Sequence, residues 1–468
     1  MDTAWTADGA GPRLPVAIIG AGPIGLAAAA HLLARGERPL LLEAGGEAGA
    51  SIRQWAHVRL FSPWKYLVDP AARALLEPGG WRQPDGDALP TGGELLRDML
   101  QPLAAHPAIA PHLRLNARVQ SVTRVGFDKA KTEGRERAPF ELAVRTPGGE
   151  ERIRARAVID ASGTWSQPNP LGAGGVPVEG EAGCEQVTYG IPDVLGREHD
   201  RFAGRRVLVV GGGHSAFNAV LDLAQLNRQS PGGSVTWAVR RTDLRRMWGG
   251  EARDALPARG GLGSRLRRVV ERGEVRLVTG FRAERIRRAA DGLWVDADGA
   301  DAIGPVDEIV VATGFRPDLA ITRELRLALD PALESPVALA PLIDPNVHSC
   351  GTVYPHGAAE LAHPEPGFYT VGMKSYGRAP TFLLLTGYEQ VRSVVCKLVG
   401  DEAGARAVEL VLPETGVCST DLGGSSCCAA DAEEEEGPSA VAGSCGVAGA
   451  CGSERALVGI GAPAKGCC

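Results

Sequence analysis

The sequence predicts an α/β protein with two Rossmann-type dinucleotide-binding domains, one inserted in the other, and a disordered, cysteine-rich C-terminal tail. Three observations lead to this fold class. An apolar strand, a glycine-rich turn and a helix follow one another twice, around residues 20–25 and 211–216. Two further apolar runs, at 157–164 and 307–318, both end in small residues. Beyond residue 401 the chain becomes acidic and almost free of aromatic residues, as disordered segments are.

The first glycine-rich turn follows Val16–Ile19, a run that is too short for a helix and suited to a buried strand. Gly20 permits a sharp turn, Gly22 lets the backbone approach a pyrophosphate, and Gly25 allows close packing of helix against strand. The helix N-terminus then faces the phosphates. Glu43 ends the next apolar run, where a carboxylate can accept a hydrogen bond from a ribose hydroxyl. The complete unit predicts a dinucleotide site.

The second turn repeats this unit with one difference. The sequence GGGHSA at 211–216 matches G-x-G-x-x-A and follows the apolar strand 206–210. The strand after the helix ends in Arg240 and Arg241, at the place where the first unit has Glu43. A carboxylate would repel a 2′-phosphate, whereas a guanidinium accommodates it. We therefore expect the second site to prefer NADPH to NADH, the alternative being two arginines on a solvated strand end.

Composition limits the classes of function. The 468 residues are 44% apolar and 23% charged, as in a soluble globular protein with two or three domains. The net charge of −6 arises from the tail, which holds 11 acidic and 3 basic residues from Asp401 onward. No basic block suggests nucleic acid or a membrane surface as partner. The absence of a signal-peptide pattern predicts a cytoplasmic protein with reduced thiols.

Together these features resemble the two-dinucleotide-binding flavoprotein fold. Within it, residues 12–400 resemble the class B flavin monooxygenases, the family of FMO-type and Baeyer–Villiger enzymes, and are similar to monooxygenase-like flavoproteins of bacterial arsenic-resistance operons. The resemblance implies FAD and NADPH as cofactors, with FAD reduced by NADPH and then reacting with oxygen. The FAD contacts that it implies are Gly20, Gly22, Gly25, Glu43, Arg378 and Thr381. The NADPH contacts that it implies are Gly211, Gly213, Ser215, Ala216 and Arg240.

The same resemblance gives the expected domain boundaries. Residues 12–183 form the first part of the FAD-binding domain and 316–400 the second part. The NADPH-binding domain is inserted between them at 184–315, and residues 401–468 are the tail. The resemblance also gives roles to two segments near the flavin. The aromatic-rich stretch 53–66 could line the ring or simply pack an inserted subdomain, and Pro380 fits the first position of a helix over 382–398. Thr91 and Glu94 are spaced as a capping box of another helix.

One departure from the family keeps the reaction open. The monooxygenase pattern F-x-G-x-x-x-H-x-x-x-[YW] is expected just before the second turn, but residues 189–204 place His199 and Phe202 at a different spacing. We expect a monooxygenase-like oxidoreductase acting on trivalent arsenicals or another soft small substrate. The alternative is an NADPH-dependent reductase of a metal ion or disulfide fed by tail thiols, disfavoured because no cysteine follows Glu43 closely. A non-catalytic metalloid-binding flavoprotein is a second alternative, which the intact turns disfavour.

The tail concentrates cysteine. Seven of the ten cysteines occur after Asp401. Adjacent cysteines pair poorly with each other but are good ligands for soft ions, so we expect Cys427, Cys428, Cys467 and Cys468 to bind arsenite or another thiophilic ion.

Other possible ligands are less well arranged. The spacing of His348, Cys350, His356 and His363 matches no zinc module, and we interpret these as loop residues near the flavin. His31 is expected to be a packing or surface residue, and Cys184 and Cys396 are expected to be ordinary buried thiols. The oligomeric state cannot be read from the sequence.

Overall fold

The computed structural model describes residues 14–242, 248, 257–348, 355–380 and 382–410. The chain divides into two units, Met1–Leu422 and Gly423–Cys468, and all described residues belong to the first. Thr381, Cys350 and the seven tail cysteines lie outside the described residues. No described helix is long and apolar enough to cross a membrane.

Within these ranges the strands form four sheets. Their bounds are β1 Val16–Ile19, β2 Pro39–Leu42, β3 Leu113–Arg114, β4 Arg118–Arg124, β5 Phe140–Thr146, β6 Gly149–Ala155, β7 Ala157–Asp160, β8 Val187–Tyr189, β9 Arg206–Val210, β10 Ser234–Ala238, β11 Arg276–Val278, β12 Arg282–Ala289, β13 Gly292–Asp298, β14 Ala300–Val306, β15 Glu308–Val311 and β16 Phe368–Thr370.

The α-helices that connect and cover these strands have the following bounds: α1 Pro23–Ala34, α2 Ala50–Arg53, α3 Pro70–Leu76, α4 Gly92–Leu95, α5 Gln101–Ala105, α6 His199–Phe202, α7 His214–Gln229, α8 Pro257–Glu271, α9 Ala340–Ile343, α10 Leu384–Leu398 and α11 Glu402–Arg406.

Two five-stranded parallel sheets have the same plan. The first has the strand order β16-β7-β1-β2-β3, and the second has the order β11-β10-β9-β15-β8. In each sheet the strand before a glycine-rich turn is central, and the strands on its two sides pair with it in parallel. Parallel sheets of this kind bind ligands outside the carboxyl ends of their strands, where the strand order reverses. The predicted α/β class with two Rossmann-type folds is confirmed.

Two three-stranded antiparallel sheets complete the strand structure. The order β4-β5-β6 is inserted before β7, and the order β12-β13-β14 is inserted before β15. The first of these meanders is tied to a distant part of the chain by a buried charge cluster. Glu365 lies 2.8 Å from Arg124 and 3.0 Å from Arg135, and all three side chains are at most 3% exposed. A carboxylate shared by two guanidinium groups satisfies the polar atoms that this packing buries.

Local sequence explains where the helices begin. Helix α1 starts with Pro23, whose missing N–H is no loss at a first helical position. Thr91 and Glu94 form the capping box that their spacing predicts, and both of its hydrogen bonds are present. The helix expected from residue 380 or 382 instead begins at Leu384. Leu383 is extended, with φ −110° and ψ 145°, so Pro380 precedes the helix and does not occupy its first turn.

The chain remains ordered a little beyond the expected domain end. Residues 401–410 were expected to belong to the disordered tail, but they include α11 and pack on α10. Arg392 of α10 donates to the carbonyl of Gly404 at 2.8 Å, and Ser393 donates to the carbonyl of Ala405 at 2.5 Å. These polar contacts of buried side chains hold the segment in place, which composition alone does not reveal.

Candidate functional site

The first glycine-rich turn has the close contacts that its pattern predicts. Gly20 has φ +96°, and a Cβ atom there would lie 2.9 Å from the carbonyl oxygen of Ala161. A Cβ on Gly25 would lie 1.9 Å from the carbonyl oxygen of Gly20, so helix α1 can approach the turn only through a glycine. A Cβ on Gly22 would meet nothing within 4 Å. The backbone at Gly22 is therefore open to a phosphate group, while Gly20 and Gly25 serve packing.

Glu43 directly follows β2, beside this turn. Its two carboxylate oxygens accept hydrogen bonds from the amides of Ala21 and Gly45, each at 2.8 Å. The side chain is half-buried, and each carboxylate oxygen has a further lone pair. Glu43 can thus accept a ribose hydroxyl while it fixes the loop that carries Ala21 and Gly22, a second role that the sequence did not predict.

The second turn has equivalent geometry. Gly211 has φ +143°, and a Cβ atom there would lie 2.2 Å from the carbonyl oxygen of Ala312. Gly213 is open in the same way as Gly22, with nothing within 4 Å of a Cβ position. Ala216 is fully buried and Ser215 is half-buried in the first turn of α7. The structure therefore brings together the four residues that the sequence predicts for this turn.

Arg240 lies two residues beyond β10, at the carboxyl edge of the second sheet. Its side chain is exposed, and its Nη1 donates to the carbonyl oxygen of Ala173 at 3.1 Å. Within the described part of the chain this is the one hydrogen bond of the Arg240 side chain, so other guanidinium N–H groups can bind a phosphate. The position therefore suits recognition of an adenosine 2′-phosphate.

Two segments, which we call the crossovers, connect the two parallel sheets, one following β7 and the other following β15. They are joined to each other. The amide of Asn169 donates to the carbonyl of Gly314 at 2.9 Å, and the Thr313 hydroxyl donates to the carbonyl of Asn169 at 2.8 Å. Each segment begins at the carboxyl end of a strand that pairs with the strand preceding a glycine-rich turn, β7 with β1 and β15 with β9. The two ligand-binding edges are thus linked through these crossovers.

Half-buried aromatic side chains gather at the crossovers. Trp165 stacks on Phe315 with ring centroids 4.6 Å apart, and Trp55 lies 6.4 Å from Trp165. Phe61 lies 5.3 Å from His214, the first residue of α7. The aromatic stretch after Glu43 therefore contacts the crossover that carries Trp165 and the second glycine-rich turn, which places it beside the site.

A buried ion pair that the sequence analysis missed lies behind the first turn. Lys374 Nζ is 2.6 Å from Asp160 Oδ2 and donates to Ser162 Oγ at 3.0 Å. The side chains of Lys374 and Asp160 are 1% and 0% exposed. The sequence feature that could have indicated this pair is Asp160, a charged residue at the end of the otherwise apolar strand β7.

Other predicted residues are less closely tied to the turns. Arg378 forms a two-point ion pair with Glu334, at 2.8 and 3.1 Å, on a partly exposed surface. Its expected place beside the flavin stays a prediction. Thr381 lies outside the described residues.

The histidines have mainly packing contacts. His356 is buried and lies 2.7 Å from Gln390, and burial lowers the pKa of His363 to about 4. His31 is a buried partner of Asp69 at 3.0 Å. Among the described residues, no three His, Cys, Asp or Glu side chains are placed to hold a metal ion.

Both described cysteines are free thiols. Cys184 is half-buried, whereas Cys396 is buried and accepts a hydrogen bond from Arg35 at 3.0 Å. Neither forms a disulfide, and the described part of the chain therefore contains no dithiol pair of the kind that disulfide reductases use.

Fold and site together define an oxidoreductase with two dinucleotide-binding Rossmann folds. Comparison with known proteins supports this class. Residues 15–77 match the family described as FAD dependent oxidoreductase, and residues 136–337 match the pyridine nucleotide-disulphide oxidoreductase family.

A ferredoxin–NADP reductase from Salinispora arenicola is 30% identical over 321 residues, which cover 68% of this chain and 79% of the relative. The protein therefore belongs to the family of FAD- and NADP-dependent flavoprotein oxidoreductases that includes this reductase. An indole-3-pyruvate monooxygenase from Oryza sativa subsp. japonica is 31% identical over 208 residues, 44% of each chain. A bacillithiol disulfide reductase from Bacillus cereus has the same fold, with a TM-score of 0.60 and 19% identity over 84% of this chain and 100% of that one.

The protein is thus a flavin-dependent NADP oxidoreductase with FAD and NADPH as its cofactors. The residues present fit both groups. Each glycine-rich turn begins a helix, and the second glycine of each turn opens onto free space. Such a turn offers backbone N–H groups and the positive end of a helix dipole to a pyrophosphate.

Proposed function

We propose that this enzyme is a monooxygenase-like flavoprotein that transfers an oxygen atom to a small soft nucleophile, with trivalent arsenicals as the substrate class. The observation that carries the proposal is the aromatic cluster Trp55, Trp165 and Phe315, which lies where the two crossovers meet. The described residues provide no dithiol relay beside it. Aromatic faces favour an uncharged, polarisable substrate over an oxyanion. The arsenic-resistance resemblance selects the arsenicals among such substrates.

The proposal assigns a role to each turn. Gly20, Gly22, Gly25 and Glu43 hold FAD on the first sheet, with Arg378 and Thr381 nearby. Gly211, Gly213, Ser215, Ala216 and Arg240 hold NADPH on the second sheet. The boundaries 12–183, 184–315 and 316–400 belong to the same proposal. When bound there, FAD would supply the redox chemistry that couples NADPH oxidation to oxygen reduction.

The contribution of the chain itself is positioning. The linked crossovers join the two carboxyl edges, and the aromatic cluster lies where these crossovers meet, so its rings can contact a substrate between the edges. The overall reaction balances as arsenite, oxygen, NADPH and a proton giving arsenate, water and NADP⁺. Two electrons from NADPH and two from arsenic reduce oxygen, one atom of which enters arsenate and the other water.

The test measures products and not NADPH oxidation alone. Holoenzyme is incubated with NADPH, arsenite, oxygen and catalase, and arsenate is quantified by chromatography with elemental detection. We expect arsenate to rise in proportion to NADPH consumed. NADPH consumption that yields only hydrogen peroxide, with arsenate at the level of the no-enzyme control, would overturn the proposal.

The reductase alternative has its own support. The 30% identical relative is named a ferredoxin–NADP reductase and matches two thirds of this chain. In this alternative, electrons from NADPH leave the flavin one at a time for a protein carrier, or reduce a disulfide or metal ion. Anaerobic assays with ferredoxin, a low-molecular-weight disulfide and mercuric ion as acceptors separate these cases. Rapid NADPH-dependent reduction of one acceptor, without arsenate formation in air, would favour the alternative.

A further inference from the structure

The carboxyl end of β7 carries a connected set of polar groups that no cofactor role described above uses. Ser162 donates its hydroxyl hydrogen to Asp160 Oδ1 at 2.6 Å, and its amide also donates to this oxygen at 3.1 Å. Lys374 donates to the other Asp160 oxygen and to the Ser162 hydroxyl. Asp160, Ser162 and Lys374, the polar triad, therefore form a closed ring of hydrogen bonds.

The triad lies against the first glycine-rich turn. A Cβ on Gly20 would be 3.1 Å from the Cα of Ser162 and 2.9 Å from the carbonyl oxygen of Ala161. Asp160 is the partner of Ile19 in the parallel pairing of β7 with β1, one residue before Gly20. The triad therefore occupies the switch point of the first sheet, where dinucleotides bind.

Two residues of the triad are buried and the third is exposed. Asp160 and Lys374 are fully enclosed, whereas Ser162 is exposed. A buried ion pair is weak evidence for stability, because desolvation of the two charges can exceed their attraction. Stability alone therefore does not explain why Asp160 and Lys374 are buried together. The exposed side chain that contacts both of them is the Ser162 hydroxyl.

The second sheet shows what the same turn looks like without such a pair. Val311 holds the position of Asp160, since it pairs with Val210 just before Gly211. Thr313 holds the position of Ser162, and its hydroxyl is directed to the carbonyls of Asn169 and Pro170. The parallel-strand geometry therefore does not require a charge here, and the triad is particular to the FAD-binding sheet.

The hydrogen-bond directions define what Ser162 can recognise. Its single hydrogen is committed to Asp160, and one lone pair is committed to Lys374. The remaining lone pair can only accept, so Ser162 cannot donate to a phosphate oxygen. A group that binds there must be a hydrogen-bond donor. Between its adenine and its flavin ring, FAD offers only the hydroxyls of the ribose and of the ribityl chain as donors.

We propose that Ser162 is an FAD-binding residue that accepts a hydrogen bond from a hydroxyl group of the cofactor, and that Asp160 and Lys374 are positioning residues that fix its acceptor direction. This rests on FAD occupying the first glycine-rich turn. The hydroxyl belongs either to the adenosine ribose or to the ribityl chain. The buried pair thereby converts a side chain that could rotate into a preoriented acceptor, which reduces the entropy lost on binding.

The test titrates apoprotein with FAD and, separately, with ADP, which has the adenosine ribose but no ribityl chain. Flavin fluorescence reports FAD binding and calorimetry reports ADP binding. Ser162→Ala should raise the FAD Kd about 2- to 12-fold, the worth of one neutral hydrogen bond. Ser162→Thr should restore the parental Kd, because it keeps the hydroxyl. Ser166→Ala, an exposed serine in the same crossover, is the matched control and should change nothing.

A charge-removing double variant tests the positioning role. Asp160→Asn with Lys374→Met removes both charges together and leaves no unpaired buried ion. We expect it to weaken FAD binding as much as Ser162→Ala, while the triple variant with Ser162→Ala loses nothing further. Ser162→Ala also removes two hydrogen bonds to buried charges, so its apoprotein should melt lower than the parent, and Ser162→Thr should restore both the melting temperature and the FAD Kd. If the double variant does not fold, the Ser162 variants alone decide the assignment.

The outcomes separate the cases. Loss with both FAD and ADP assigns the contact to the adenosine ribose, and loss with FAD alone assigns it to the ribityl chain. An FAD Kd unchanged in Ser162→Ala, or equally weak in Ser162→Thr, overturns the inference. If Gly22→Ala and Glu43→Ala also leave the Kd unchanged, it is instead the placement of FAD at this turn that fails.

Discussion

The carboxylate of Glu43 accepts a hydrogen bond from the amide of Ala21 at 2.8 Å. The residue at the end of β2 therefore holds the loop between the first and second glycines of the turn, apart from any contact with ribose. The Gly45 amide binds the other carboxylate oxygen at 2.8 Å. We therefore expect that loss of this carboxylate changes the shape of the apoprotein loop as well as cofactor binding.

We predict that Glu43→Ala raises the FAD Kd by roughly 10- to 150-fold, the worth of one hydrogen bond to a charged group. Glu43→Gln keeps one acceptor oxygen and should lose less. Fluorescence titration of each apoprotein measures the effect, and circular dichroism melting shows how much comes from the loop. Equal FAD affinity in parent and Glu43→Ala would contradict the assignment of Glu43.

The glycines of the first turn should respond differently to alanine. A methyl group at Gly22 meets no protein atom within 4 Å, whereas at Gly25 it would lie 1.9 Å from the Gly20 carbonyl oxygen. Gly22→Ala should leave the apoprotein melting temperature unchanged and reduce FAD retention strongly, because the methyl occupies cofactor space. Gly25→Ala should destabilise the apoprotein itself.

The matched control for these variants is in the other sheet. Ala216 already holds an alanine at the position equivalent to Gly25, so Ala216→Gly should be tolerated there. Thermal melts without cofactor and FAD content after purification measure both effects. Equal apoprotein melting temperatures for the Gly22→Ala and Gly25→Ala variants would show that the contact at Gly25 is relieved by movement of the helix.

The contrast between these glycines indicates what sequence could predict. The turns, the central strands and the residue after β2 follow from local spacing, so they could be predicted from residues 15–43 and 206–241. The Asp160–Lys374 pair joins residues 214 positions apart, and its partners share no local pattern. The aromatic cluster likewise depends on how two crossovers meet. Contacts of this kind arise from tertiary packing, which single-sequence periodicity does not contain.

Nicotinamide cofactor preference should depend on Arg240. Its exposed guanidinium donates to the Ala173 carbonyl at 3.1 Å and can turn toward a 2′-phosphate at small cost. Arg240→Ala should reduce the affinity for NADPH roughly 10- to 150-fold and leave NADH almost unchanged. Arg276→Ala, an exposed arginine on β11, is the control. Anaerobic flavin reduction rates over a range of each cofactor measure the preference, and an equal loss with both cofactors would argue against a phosphate contact.

Asp222 of α7 should make the protein less stable as pH rises through mildly acidic values. Burial raises the pKa of this carboxyl to about 6, with the Asp193 charge acting in the same direction and Arg265 opposing them. In the unfolded chain it ionises near pH 4, so between about pH 4 and 6 the unfolded state loses its proton first. Stability is therefore highest below the unfolded pKa and falls across this window.

Asp222→Asn removes the ionising group and should raise stability at pH 7 by up to about 3 kcal/mol, with the gain disappearing at pH 4. Denaturant unfolding of parent and variant at several pH values measures the difference. Asp301→Asn, at an exposed carboxyl of β14, is the control and should have a flat difference. A gain for Asp222→Asn that is independent of pH would indicate a packing effect instead of titration.

The position of a C-terminal truncation should decide whether the core survives. Arg392 is 6% exposed and donates to carbonyl oxygens of Gly404 and Ala407, and Ser393 donates to Ala405. A chain that ends at residue 400 loses these acceptors and leaves a buried guanidinium with fewer partners. It should melt several degrees lower, since each lost charged hydrogen bond costs about 1.5–3 kcal/mol. A chain that ends at residue 410 should melt like the parent and keep NADPH-driven flavin reduction.

The truncation at residue 410 also tests the role of the tail cysteines. We propose that the tail binds trivalent arsenic through Cys427, Cys428, Cys467 and Cys468. Removal of residues 411–468 should abolish high-affinity arsenite binding, measured by equilibrium dialysis, while FAD binding stays intact. Ordinary thiols have a pKa near 8.5, and the run of four glutamates at 433–436 should raise it further, so the thiols are protonated at neutral pH. Arsenite is then the uncharged arsenous acid, and each hydroxyl group that leaves arsenic takes up one thiol proton to form water, so binding releases no net proton. Affinity should therefore change little from pH 6 to pH 8. Serine replacement of the four cysteines in the full chain should reproduce the truncation, and unchanged arsenite binding in both variants would assign the tail no role in metalloid binding.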